Sequence, residues 1–420
     1  MLTPSGTDGE YAALHLAGAA PDRPLVNILI APEKTGSGVL AAAQGRHFAR
    51  LTPSGEAVRP DAPIAGIDPG LIHVPTVPIR GSDGDPRPLG VIDAEVAALV
   101  EQAVAARKRC LVHVLAGSKT GLFAPSFAAV RQLRAGFGGH VEIVVDACQM
   151  RMSPEQVRAC LEAGWIVLVT GSKFFGGPPF AGAVLLPAEV VARASGLAPL
   201  PVGLADYFSR REWPRPLQHL IACLPERANL GLMLRWQAAL WEMRAFHGLP
   251  RGQRALIMTE LGGAIRAALA ASRSLRPVKV ETCGGDWPQT IFPFEVLRRA
   301  RDGATQPMGL ATLKQVERWL NADISNWLPP GTLCSARRLA ALSCHVGQPV
   351  GIGRTAALRV CIGAHLVWQA ACDASLGSSL DTRLETQIQR ARLVVRKAEL
   401  IARCYDALCA TAAATQTRSA

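Results

Sequence analysis

Apolar residues in the first 190 positions gather into short runs separated by helical stretches. The runs Leu25–Ala31, Ile72–Ile79, Cys110–Leu115, Val141–Val145, Trp165–Thr170 and Ala181–Leu186 are of strand length. Several are continuously apolar rather than alternating, which marks parallel strands covered on both faces. Between them the pattern predicts helices over Glu10–Ala19, Ile92–Arg107, Ser126–Gly136 and Pro154–Ala163. The last of these opens Ser153-Pro154-Glu155, a serine N-cap followed by proline at the first helical position. Strand–helix alternation of this kind predicts an α/β fold, a three-layer, mostly parallel sheet with helices on both faces. Segments 52–70 and 80–90 are rich in Pro, Gly and Asp and read as surface loops.

A long helix is predicted from about Arg227 to Phe246, and beyond about residue 275 the pattern changes. Strands at Val278–Thr282, Ile291–Glu295 and Ala357–Ile362 interleave with helices at Leu310–Trp319 and Leu380–Ala407, which predicts a smaller α+β domain. The expected division is a large domain over 1–245, a connecting helix over 246–274 and a small domain over 275–420. A chain of 420 residues is long enough for two cores. No internal repeat is present, and only the last ten residues, rich in Ala, Thr and Ser, are of low complexity.

Composition narrows the class. Hydrophobic residues at 49% and charged residues at 19% exclude a disordered chain. The longest apolar runs are strand-sized, so no membrane-spanning helix is expected, and the first eight residues lack the basic and apolar regions of a secretory signal. Eleven cysteines without any C-x-x-C pair argue against a disulfide framework or structural zinc and for a reducing, cytoplasmic setting; no metal site is expected. The net charge of +12 raises nucleic acid as a partner. Only seven basic residues are lysines, however, and the arginines are scattered, with neither aromatic interleaving nor helix-turn-helix or zinc-finger spacing. The charge therefore reads as arginine on solvated faces, with no nucleic-acid partner.

The chemistry concentrates in Val144-Val145-Asp146-Ala147-Cys148-Gln149 and in Thr170-Gly171-Ser172-Lys173-Phe174-Phe175-Gly176-Gly177, where Lys173 stands 24 residues after Gln149. An aspartate at the carboxyl end of an apolar strand points into the ligand crevice of an open α/β sheet, and a lysine ending the next strand unit points into the same crevice. A carboxylate that keeps a heteroaromatic ring nitrogen protonated, beside a lysine able to form a Schiff base, is what pyridoxal 5'-phosphate (PLP) chemistry requires.

With these motifs in this order, the chain resembles the class V aminotransferase and cysteine desulfurase group of fold type I PLP-dependent enzymes. The resemblance covers most of the chain. It implies that Asp146 holds the ring nitrogen, Gln149 the ring hydroxyl, Thr170 and Ser172 the cofactor phosphate, and that Lys173 carries the Schiff base. Pro4-Ser5-Gly6-Thr7-Asp8 resembles the phosphate cradle, with Ser5, Gly6 and Thr7 as its contacts. Ser118, in the loop Val114–Gly121, matches a polar contact to the ring hydroxyl. Thr35, in Glu33-Lys34-Thr35-Gly36, occupies the ring-stacking position, although the family's usual aromatic or histidine is absent. Arg359, in Ala357–Gly363, matches the arginine that pairs with the substrate carboxylate. Relatives carry several dozen residues ahead of the cradle, including an arm over the active site, and this sequence begins almost at the cradle.

The expected function is a PLP-dependent reaction on an amino acid or related amine, aminotransferase-like, in a homodimer. A PLP-dependent lyase or desulfurase and a catalytically inactive PLP-fold binding protein are the alternatives. A desulfurase would need a mobile thiolate, for which Cys334 is the only candidate, and the residues after it read as regular structure. Phe174, Phe175, Trp236 and Trp241 read as core.

Overall fold

The structure is a computed structural model that describes residues 1–18, 23–280, 287–299 and 305–419. Its contacts divide the chain into two compact units. One comprises Met1–Ile79, Arg87–Ala245 and Thr282–Trp287, and the other Arg80–Pro86, Phe246–Glu281 and Pro288–Ala420.

In the first unit β1 (Leu2–Thr3) leads into α1 (Gly6–Leu16), β2 (Leu25–Ile30) and the short α2 (Val39–Ala43). There follow β3 (Ile72–His73), β4 (Thr76–Val77), α3 (Leu89–Ala105), β5 (Arg109–Ala116), β6 (Phe123–Ala124), α4 (Phe127–Phe137) and β7 (Val141–Asp146). The unit continues with α5 (Pro154–Glu162), β8 (Ile166–Thr170), β9 (Gly182–Leu185), α6 (Ala188–Arg193) and α7 (Leu230–His247), whose last two residues belong to the second unit. The strands form one sheet in the order β1-β9-β8-β7-β5-β2-β3, with β4 beside β2 and β6 beside β5. Its centre, β8 through β3, is parallel; at one edge β9 runs antiparallel to β8, and β1 antiparallel to β9. The continuous apolar runs thus became the central strands: every residue of β2 and of β8 is buried. On one face Tyr11, Ala12 and Leu16 of α1 pack with Leu111, Val144, Ile166, Leu168 and Val184.

Local rules explain several helix starts. Ser153 caps α5 in a capping box with Gln156, and Ser126 caps α4 through Ala129 N–H. Helix α1 begins at Gly6 rather than at Glu10, because Ser5 in extended conformation supplies the cap. The run Ile72–Ile79 does not form one strand. Pro75 and Pro78 have no N–H to donate, and only the two-residue pieces β3 and β4 pair with β2.

The second unit contains α8 (Arg251–Ala271), β10 (Leu275–Pro277), β11 (Ile291–Arg299), β12 (Thr305–Pro307), α9 (Leu310–Leu320), α10 (Cys334–Ala340), β13 (Gly347–Ile352), β14 (Thr355–Cys361), α11 (Ala364–Cys372) and α12 (Leu380–Ser419). Residues 246–274 therefore hold the end of α7 and the whole of α8, separated at Gly248-Leu249-Pro250. The sheet is antiparallel throughout, in the order β10-β11-β14-β13 with β12 beside β11. The strand expected at Val278–Thr282 lies earlier: Leu275 is the buried residue and pairs with Val296, whereas Val278 and Val280 are half-buried outside any strand. Glu281 and Thr282 of that expectation lie outside the described residues. In α12, Lys397 is fully buried and its ammonium donates to the carbonyls of Leu320 (3.0 Å), Ala322 (2.7 Å) and Leu342, covering the carboxyl end of α9.

Candidate functional site

Asp146 is the last residue of β7 and Thr170 the last of β8, so both stand at the carboxyl edge of the parallel sheet, on neighbouring strands. Asp146 Oδ1 accepts the Cys148 N–H at 3.0 Å, and the Thr170 hydroxyl donates to the Cys148 carbonyl at 2.8 Å. The turn after β7 is thereby fixed across the strand pair. Burial, then the nearby Glu10 charge, pushes the Asp146 carboxyl above its ordinary range, and no Lys or Arg is paired with it among the described residues.

Beyond Thr170 the chain turns through Ser172 and the exposed Lys173. Gly176 N–H closes this loop on the Lys173 carbonyl at 3.0 Å, at φ +67°, where a side chain would be strained. A β-carbon on Gly171 would stand 2.4 Å from Cβ of Ala239, so glycine lets α7 pack directly beneath the lysine loop. Phe174 and Phe175 are buried and anchor the loop, Phe174 with its ring centroid 5.0 Å from that of Trp287. The Lys173 charge reaches Cys148, whose thiol burial and Asp146 nevertheless push strongly upward.

The amino end of α1 docks on the same turn. A β-carbon on Gly6 would lie 2.4 Å from Cys148 Sγ and 3.1 Å from Thr170 Cγ2. Gly36 approaches Thr7 so closely that a β-carbon there would be 2.8 Å from its hydroxyl oxygen, and Lys119 N–H donates to the Lys34 carbonyl at 3.0 Å. Gly117, at φ +96°, leaves its open side toward Gln149. Five segments distant in sequence thus meet: 5–8, 34–36, 117–119, 146–149 and 170–173.

The structure sorts the expected residues into two groups. Ser5 donates to Asp8 Oδ2 at 2.5 Å and accepts from Asp8 N–H at 3.2 Å, and Thr35 donates to the Pro32 carbonyl at 2.7 Å. Ser118 is fully buried and accepts from the N–H groups of Thr120 (3.2 Å) and Leu122 (3.0 Å). These three hydroxyls organise their own turns, and that of Thr170 is taken up by the Cys148 carbonyl in the turn after β7. The side chains of Thr7, Gln149, Ser172 and Lys173 make no hydrogen bond among the described residues and are available to a ligand. Arg359 belongs to the second unit, on β14 opposite Gly347, where desolvation lowers its pKa and a β-carbon on Gly347 would touch its Nε at 2.7 Å. Cys334 is the first residue of α10 and exposed. No group of three or more His, Cys, Asp or Glu suited to a metal occurs among the described residues, and no described helix is long and apolar enough to cross a membrane.

Sequence reasoning passed over four residues of this region. Cys148 was visible within the aspartate motif. Asp8, in the first turn of α1, is buried and pushed up to about 6 by desolvation, held from rising further by its Ser5 hydrogen bonds. Glu10 and His113 form a buried pair at 2.7 Å, and no local motif announces a contact between residues 103 apart.

No protein-family model and no curated protein matches the sequence. Among solved structures, the chain is similar to Oryza sativa TDC with PLP and tryptamine, at 13% identity and a TM-score of 0.50 over 95% of this chain and 68% of that one. Oryza sativa TDC with PLP aligns over the same shares at 12% identity and a TM-score of 0.50. These likenesses show the fold, an α/β architecture of the PLP-dependent fold type I kind with a mostly parallel sheet.

Proposed function

We propose that the chain is a PLP-dependent enzyme that acts on an amino acid or related amine, with aminotransferase-like chemistry in a homodimer and Lys173 as its reactive amine. The observation that carries this reading is Asp146. A half-buried carboxylate at the edge of a parallel sheet, without a paired cation among the described residues and pushed by desolvation toward its neutral form, calls for a positively charged partner from a ligand. A protonated ring nitrogen is such a partner, and the solved structures that share the fold contain PLP.

The remaining residues fit the same group. The first-turn amides of α1 and the Thr7 and Ser172 hydroxyls suit a phosphate, and the amide of Gln149 suits a ring hydroxyl. PLP supplies, when bound, an aldehyde for amines and a ring that accepts electron density from an adjacent carbon. Asp146 keeps the proton on the ring nitrogen, and the ion pair offsets the desolvation of its carboxylate. Lys173 Nζ, on an exposed loop and without an ion pair among the described residues, takes the proton from the substrate Cα and redelivers it. Asp8 works against the cradle, since its carboxylate already places negative charge in the first turn of α1 once pH exceeds about 6.

The test is an absorbance spectrum of the protein with PLP, before and after borohydride, beside Lys173→Ala and Asp146→Asn. A near-visible band that disappears on reduction, is absent in Lys173→Ala and forms about ten- to a hundredfold less tightly in Asp146→Asn supports the reading. An amino-acid screen with a 2-oxo acid as acceptor then separates amino transfer from elimination. A wild type without the band, or a band undiminished in Lys173→Ala, overturns it.

A further inference from the structure

Behind Asp146 lies a polar pair in an otherwise apolar layer. Strands β5 and β7 pair in parallel register, His113 with Val144 and Leu115 with Asp146. Register partners, and residues two apart on a strand, share a face of the sheet, so His113 and Asp146 are on the same side. It is the side packed by α1, whose neighbours there are Leu111, Val144, Ile166 and Leu168. From α1, Glu10 Oε2 meets His113 Nε2 at 2.7 Å, and the two residues are 2% and 4% exposed. His113 Nδ1 is buried without a hydrogen-bond partner. Packing alone gives no reason for a carboxylate and an imidazole at this depth, because apolar residues of similar volume are more readily buried there.

We propose that Glu10 and His113 are a positioning pair which fixes the charge on Asp146 and thereby its grip on a protonated ring nitrogen. The proposal rests on the PLP reading and adds a control on it. The negative charge of Glu10 disfavours ionised Asp146, and His113, when it carries a proton, favours it. The ionisable groups around Asp146 are Glu10 from α1, His113 from β5 and Cys148 from its own turn, with Lys173 acting on Cys148.

The experiment measures PLP dissociation constants from the absorbance band across pH for the wild type, His113→Gln, Glu10→Gln and the double variant. His113→Gln keeps a donor for Glu10 but carries no positive charge. Its acid limb of binding moves to higher pH by about one unit, which is about tenfold weaker binding at a fixed pH on that limb. Glu10→Gln moves the limb the other way, and the double variant returns toward the wild type. Asp8, pushed up to about 6, also titrates but is common to all four proteins. A merely structural pair would lower melting temperature in both variants and leave the limb in place. A limb that neither variant moves, or that both move in one direction, overturns the pair's role while the PLP reading stands. A wild type that binds no PLP at any pH overturns the reading itself.

Discussion

Gly6 and Cys148 touch across the turn after β7, so closely that a β-carbon at Gly6 would stand 2.4 Å from the Cys148 sulfur. Hydrogen at this one position lets the first turn of a helix close over the end of a central strand. Gly6→Ala must displace either the cysteine or the amino end of α1. The expected result is PLP binding weakened by about tenfold or more, with destabilisation of about 1–3 kcal/mol from overpacking. Gly6→Ala/Cys148→Ala should recover part of both losses, because the 2.4 Å clash is removed while the tight approach to Thr170 Cγ2, at 3.1 Å, remains. PLP titration and thermal melting check this, and an unimpaired single variant would refute it.

Asp8 should make stability depend on pH. Its folded-state pKa is about 6 against an ordinary 3.8, so the folded chain holds the proton more tightly than the unfolded one. Stability from this source is present below about pH 4 and is lost as pH rises through 6. Asp8→Asn removes the dependence and should raise stability at pH 7 by about 1–3 kcal/mol relative to its effect at pH 4. The same change should tighten PLP binding above pH 6, where the carboxylate would repel a phosphate. Denaturant titrations at the two pH values, with parallel PLP titrations, decide it.

Arg359 receives its role from sequence resemblance, and kinetics can test that role directly. Arg359→Lys keeps the positive charge but loses the bidentate fork. For carboxylate-bearing amino substrates KM should rise about ten- to a hundredfold with a smaller change in kcat, and amines without a carboxylate should be unaffected. An equal loss on both substrate classes would mean that Arg359 supports the strand pair β13–β14 instead.

The parts of this protein legible in sequence are those set by neighbours in the chain. Mostly apolar, non-alternating runs gave β2, β5, β7 and β8, and parallel strands deliver their final residues, Asp146 and Thr170, to one edge of the sheet. The proline spacing that divides Ile72–Ile79 was also in plain view and was outweighed by its apolar residues. What could not be read was the fate of individual polar atoms. Ser118 and Thr35 match positions that suit a ligand, yet their hydroxyls close their own turns. Glu10 and His113 each look like a stray polar residue until α1 is laid on the sheet.

Lys397 should be far more costly to replace than its place in a long polar helix suggests. Lys397→Met fills much of the same space but leaves the carbonyls of Leu320, Ala322 and Leu342 without their donor. A loss of about 2–4 kcal/mol is expected. Chemical denaturation should show it in the second unit, and a loss below about 0.5 kcal/mol would show that the three carbonyls find other partners.

The same lysine ties the second unit to the order in which the chain is made. The ammonium binds residues 77, 75 and 55 positions earlier, so the carboxyl end of α9 waits for α12. The first unit has most of its sheet in hand much sooner, once Ala183 can pair with Leu2. During synthesis the first unit can therefore settle while the second is still an open set of strands and helices. The interval before α12 emerges is when its antiparallel sheet is most exposed to mispairing and to chaperones.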